Sequence, residues 1–259
     1  MATGAAISRR SALRSAASLG LGLGTLQLLG CSDAPTAIAA DTTSPGTNTG
    51  SCVRIPEETA GPFPGDGSNG ANVLTLAGVV RSDIRPSFGG LSGTAAGIPL
   101  TINLTVVSAV TCAALANYAV YAWHCDRGGL YSLYSAGATN QNYLRGVQQA
   151  DGAGRLSFTS IFPACYPGRW PHVHFEVFRS LAAATNVASK IATSQLALPK
   201  DACDLVYATA GYEQSVRSLA GITLASDSVF RDGATRQIAT MSGSVAAGYT
   251  ASLTIAVPV

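Results

Sequence analysis

The chain has 259 residues, 47% of them apolar and only 12% charged, enough for one sizeable domain with a real core. Its 16 Lys and Arg against 14 Asp and Glu give a formal net charge of +2. No basic run interrupts the chain after the N-terminal region, so a nucleic-acid surface, which needs a basic stripe, is excluded.

The first residues read as an export signal. Ser8-Arg9-Arg10-Ser11 carries a twin-arginine pair, and the stretch from Ala16 to Leu29 is weakly apolar and rich in Gly, Ala and Leu. That stretch is too short for a membrane span, which needs about 20 apolar residues, and reads as the hydrophobic part of a signal peptide. It ends in Leu28-Leu29-Gly30-Cys31, which resembles a bacterial lipobox, where the cysteine takes a lipid after cleavage. Residues 1–31 are therefore expected to be a twin-arginine signal with a lipobox-like end, and 32–51, rich in Ser, Thr, Pro, Gly and Asn, a flexible tether. The implied location is the periplasmic or extracellular face, with an anchor to the membrane surface through Cys31. Five cysteines remain beyond it (Cys52, Cys112, Cys125, Cys165 and Cys203), so one or two disulfides leave at least one thiol free. No pair of Cys-x-x-Cys clusters suggests a zinc site.

From Cys52 onward the pattern is that of a β protein. Strands are predicted over residues 73–80, 100–107, 118–124, 155–159, 172–178 and 250–257, all short and rich in β-branched and aromatic residues. Gly89-Gly90, Gly128-Gly129 and Asp151-Gly152 mark breaks between them. Short helices are predicted over 180–190 and 200–208. The expected fold for 52–259 is all-β, a single β-sandwich domain with short helices or loops.

The chain has three histidines, His124, His172 and His174. On a strand, His172 and His174 point to one face while Val173, Phe175 and Val177 point to the other. Two imidazoles on one face can chelate a metal, though two histidines on an exposed face would look the same. Upstream, Tyr166-Pro-Gly-Arg169 is a turn that brings a tyrosine and an arginine to this strand. Earlier, Trp123-His124-Cys125-Asp126 runs through Gly128-Gly129 to Tyr131-Ser132.

Together these strings resemble the intradiol ring-cleavage dioxygenase family. Carrying the likeness are Trp-His-Cys-Asp with Tyr131-Ser, Tyr143-Leu-Arg-Gly, Asp151-Gly, and Tyr166-Pro-Gly-Arg-x-x-His-x-His-Phe. Glu58-Thr-Ala-Gly-Pro-Phe63 and Val80-Arg-Ser-Asp-Ile84 add to it. The likeness is greater to the exported branch than to soluble protocatechuate or catechol dioxygenases, and runs from about Glu58 to Phe178. It implies a mononuclear non-haem Fe(III) held by Tyr131, Tyr166, His172 and His174. Arg169 falls on the family's substrate-facing arginine and Gln195 on a glutamine behind the metal; His124 matches no ligand. The implied substrates are a catechol-type small molecule and O₂. Two phenolates with two imidazoles also suit Fe(III) on chemical grounds, because hard anionic donors stabilise the ferric state.

Two other readings stand beside this one. His124, His172 and His174 could form a three-histidine zinc site of a hydrolase or lyase. A non-catalytic β-sandwich could bind carbohydrate, aromatic ligands or protein partners. A cupin-like site lacks the glutamate it needs, since Phe178 and Arg179 stand where it would fall.

Overall fold

A computed structural model describes residues 52–259. The signal, the tether and Cys31 lie outside the described residues. Two four-stranded sheets pack face to face, as the sandwich expectation requires. The first contains β1 (Pro99–Ser108), β4 (Arg155–Ile161), β7 (Thr240–Ser244) and β8 (Gly248–Val257), in the order β4-β1-β8-β7. The second contains β2 (Ala119–Trp123), β3 (Arg145–Gln149), β5 (His172–Phe178) and β6 (Lys190–Ala197), in the order β3-β2-β5-β6. Every pairing is antiparallel except β1 with β8, which run parallel with Leu100 opposite Tyr249. Two eight-residue helices, α1 (Lys200–Tyr207) and α2 (Glu213–Ala220), follow β6. No helix among the described residues is long and apolar enough to cross a membrane.

Alternation places the core. Leu100, Ile102, Leu104 and Val106 of β1 pack with Val173, Phe175 and Val177 of β5 in one buried cluster between the sheets. The opposite face of the second sheet is covered as well. Tyr121 and Trp123 of β2 pack there with Val73, Leu74, Val79 and Tyr131, which come from loops. All seven residues of β5 are therefore buried, its polar members included. His172, His174 and Glu176 lie on that second, loop-covered face.

Two expectations need correction. Residues 73–80 form turns, not a strand: the Asn72 side chain accepts from Leu74 N, and Leu76 N donates to Val73 O. Gly78 sits at φ +91°, which breaks any extended run. The stretch 180–190 holds two single 3₁₀ turns, Ala183–Thr185 and Val187–Ser189, rather than one helix. Among the cysteines, Cys52 is bonded to Cys112, while Cys125, Cys165 and Cys203 are buried free thiols.

Candidate metal centre

The site is assembled on β5 and closed by three loops. Before the strand, Tyr166 to Arg169 make a turn in which Arg169 N donates to Tyr166 O and Gly168 takes φ +82°. A side chain at Gly168 would be strained there, which explains Pro-Gly in the turn. Tyr131 comes from the loop after β2. Asp126 Oδ1 accepts from Gly128 N (2.8 Å) and Leu130 N (2.9 Å), winding the loop so that Tyr131 faces β5. Its ring packs on Phe63 with centroids 5.0 Å apart, and its N–H donates to Ser135 Oγ.

The third loop is the segment Glu58 to Phe63, laid along β6. Glu58 N donates to Thr193 O, and Gly61 comes so close to His174 that a Cβ would sit 3.4 Å from its Cε1. Arg145, 1% exposed, ties this segment to the tyrosine loop. It donates to Phe63 O, Pro64 O, Ser132 O, Ser132 Oγ and Tyr121 Oη. Next to it, a Cβ on Gly146 would meet Ile84 Cγ2 at 2.5 Å, which accounts for Arg-Gly at that point.

Four donor atoms converge. His172 Nε2 lies 3.0 Å from His174 Nε2 and 3.3 Å from both Tyr131 Oη and Tyr166 Oη, and the two phenol oxygens are 3.3 Å apart. Four ligands about 2.0–2.1 Å from one ion lie between about 2.8 and 3.4 Å from each other, so these separations have the dimensions that a four-donor metal site requires. His172 Nδ1 donates to Trp170 O (2.5 Å), which leaves the lone pair of Nε2 facing the other donors. The His174 ring stacks on Trp123, 4.8 Å away and 5° from parallel. Tyr131, His172 and His174 are buried, Tyr166 and Arg169 are half-buried, and Pro167 and Gly168 are exposed. The centre is therefore approached from the Tyr166–Arg169 turn.

Electrostatics fit a cation. Burial first, and the Arg169 charge second, lower His172 to about 3; burial and then His172 hold His174 well below the usual range. Burial pushes Tyr166 up to about 12 and Tyr131 well above its ordinary value. Left to themselves, these groups are two neutral phenols and two neutral imidazoles, three of them buried and Tyr166 half-buried. A phenol in such a place gives up its proton only to a strongly acidic metal ion, and a buried charge must be compensated. The donor set thus fits Fe(III): two hard oxygens that become anionic on binding, and two imidazoles already in the ligating form.

All six residues proposed from the sequence meet here. Arg169 Nη1 is 3.5 Å from His172 Nε2, while its Nη2 donates to Gln195 Oε1 (2.5 Å) and its Nε to Asp227 Oδ2 (3.0 Å). Gln195 Nε2 donates to Thr59 O (2.9 Å), so the hydrogen bonds of the Gln195 amide go to the arginine and to Thr59, not to the imidazoles. The bonds of His124 argue against the three-histidine zinc alternative. His124 Nδ1 is engaged by Cys125 O and its Nε2 by Ser160 Oγ, both at 2.7 Å, leaving no lone pair for a metal. Among the described residues no cluster of three or more His, Cys, Asp or Glu side chains could hold an ion, because half of this donor set is tyrosine. Sequence reasoning missed Asp227 and Arg145, which reach the site from 58 and 81 residues away from their partners; only Arg145 had a signal, in Tyr143-Leu-Arg-Gly.

Comparison of the sequence with protein-family models and with curated proteins gives no match. Solved structures do match. An intradiol ring-cleavage dioxygenase from Tetranychus urticae is 21% identical, with a TM-score of 0.64 over 80% of this chain and 95% of that one. The dioxygenase domain of a dioxygenase–carbohydrate-binding protein fusion from Streptomyces sp. SirexAA-E is 18% identical, with a TM-score of 0.51 over 80% of this chain and 99% of that one. The match spans nearly the whole of both solved structures; the chain thus has the fold of an intradiol ring-cleavage dioxygenase.

Proposed function

We propose that this protein is a non-haem Fe(III)-dependent intradiol dioxygenase acting on a catechol-type aromatic diol. The observation that carries the reading is the convergence of Tyr131, Tyr166, His172 and His174 on one point, with Arg169 beside it. Tyr131, Tyr166, His172 and His174 would hold a ferric ion there, and its chemistry would be to activate a bound catechol ring toward O₂. The bond between the two hydroxyl-bearing carbons breaks, both atoms of O₂ enter the product, and a muconate-type diacid results.

The protein's own groups do the rest. Tyr131, His172 and His174 are deep and packed, suited to hold a fixed geometry. Tyr166 stands at the open side of the site on a turn, placed to release its position to substrate and to take up a substrate proton on its phenol oxygen. Arg169 offers a fixed positive charge where negative charge gathers on the ring during attack. The Glu58–Phe63 segment and Phe63 close the inner side against water.

The test is metal analysis with a visible spectrum, followed by ring-cleavage assays on catechol, protocatechuate and hydroxyquinol. Iron in one-to-one amount, a red-brown tyrosinate band and loss of catechol with O₂ uptake are expected. A colourless zinc protein or an inert one would overturn the reading.

We also propose export by the twin-arginine route, with a lipid on Cys31 holding residues 52–259 to a membrane surface on the 32–51 tether. Support comes from the Arg9-Arg10 pair and from the Cys52–Cys112 disulfide, a bond suited to an oxidising compartment.

A further inference from the structure

Arg169 is a long side chain on an exposed turn, and its guanidinium has much rotamer freedom to lose. Here that freedom is removed from behind. Asp227, fully buried, accepts from Arg169 Nε at 3.0 Å and from Trp170 N at 2.6 Å through Oδ2. Its Oδ1 accepts from Val229 N (2.8 Å) and Phe230 N (3.1 Å). The carboxylate is thus fixed by three backbone N–H groups on two different loops. Gln195, itself tied to Thr59 O, holds Nη2. A guanidinium is planar, so two fixed nitrogens fix the third, and Nη1 is the one 3.5 Å from His172 Nε2. The same loop sends the Phe230 ring against His172, centroids 6.5 Å apart.

We propose that Asp227 is the positioning residue for Arg169: it transfers the rigidity of the 227–230 backbone to the guanidinium and so aims Nη1 at the reacting ring. The proposal rests on the dioxygenase reading above. It gives the segment after α2, which carries none of the four donors, a part in the chemistry through Arg169.

The experiment compares iron-loaded full-length wild type, Asp227→Asn, Arg169→Ala and the double variant. Asn at 227 can still cap Val229 and Phe230 through its carbonyl, but it turns an N–H donor toward two other donors. With catechol, Asp227→Asn should keep iron and colour and lose about 10- to 100-fold in kcat, with KM within a few-fold, because a misaimed group costs rate more than binding. On the Arg169→Ala background the same change should alter kcat less than about twofold. Equal losses on both backgrounds, or wild-type kcat in Asp227→Asn, would overturn the proposal. Should Asp227→Asn not fold, Asp227→Ser keeps a capping oxygen and replaces it in the cycle. Urea unfolding of the same four proteins reads the Arg169–Asp227 coupling without turnover. A wild type that cleaves no catechol defeats the functional reading, whereas absent coupling in unfolding defeats the positioning role.

Discussion

His174 on β5 stands directly opposite Gln195 on β6, so a histidine of the candidate centre and the amide that holds Arg169 share one rung of the sheet. The histidine and the amide are thereby set at a fixed spacing by backbone pairing. The site is strand-borne and buried on the side of β5 and β6, and on the side of Tyr166 it rests on a half-exposed turn. That asymmetry suits a site in which one donor must yield to substrate.

Removal of single donors tests the centre. Tyr131→Phe and His174→Ala are expected to lose iron and colour, whereas His124→Ala, whose ring nitrogens bond Cys125 O and Ser160 Oγ, should keep both. Iron content per chain and the visible band decide it. Loss of metal in His124→Ala alone would return the site to a three-histidine arrangement.

Arg169→Ala should retain iron and colour and lose about 10²- to 10³-fold in kcat, the usual cost of removing a placed donor from developing charge. The measurement is turnover at saturating catechol. Activity near wild type removes Arg169 from the mechanism.

Much of this was legible in the sequence, and the exceptions have physical causes. β1, β2, β4, β5 and β8 were readable because their β-branched and aromatic runs match strands. β6 escaped because Lys190-Ile-Ala-Thr-Ser-Gln-Leu-Ala197 is mostly small and polar, yet it is buried on both faces under the Glu58 segment. β3 escaped for want of apolar residues in Arg145-Gly-Val-Gln-Gln149. Conversely, Val73 to Val80 has strand composition, but its apolar groups serve to cover Tyr121 and Trp123 from a turn. The donors were legible because each lies in a short motif. Asp227 was not, since its meaning depends on a partner 58 residues away.

Acid should destabilise the fold through His124, among others. Burial lowers His124 from its ordinary 6.5 to about 4, so between those values the unfolded chain binds a proton that the folded one does not. Its contribution is complete above pH 6.5 and is lost as pH falls through 4, a change of about 3 kcal/mol. Urea midpoints from pH 7 to pH 4 should therefore slope downward, and His124→Asn should flatten part of that slope. An unchanged slope in the variant would show that another group is responsible.

The Cys52–Cys112 bond closes a 60-residue separation. Chain-entropy arguments give such a loop about 4 kcal/mol of stabilisation. Cys112→Ser should lower the urea midpoint accordingly while leaving the iron band in place. A variant equal to wild type in stability would mean that the oxidised bond contributes nothing to the fold.

Export is read by fractionation. Arg9→Lys/Arg10→Lys is expected to leave a folded, coloured protein in the cytoplasm, and Cys31→Ser to release the exported protein from the membrane fraction. Mass spectrometry of the mature N-terminus checks the anchor: an unmodified terminus other than Cys31 removes it without touching the enzyme reading.

The parallel pairing of β1 with β8 has a consequence for synthesis. β8 lies between β1 and β7 although it follows both in the chain, so on the ribosome β1 waits with one edge bare until residues near Tyr249 emerge. Such an edge is a template for pairing with other chains, and contacts this distant in sequence close slowly. Truncation ahead of Gly248 would remove the middle of that sheet and leave two bare edges, so a nascent or clipped chain of this kind is an aggregation hazard rather than a partly working enzyme.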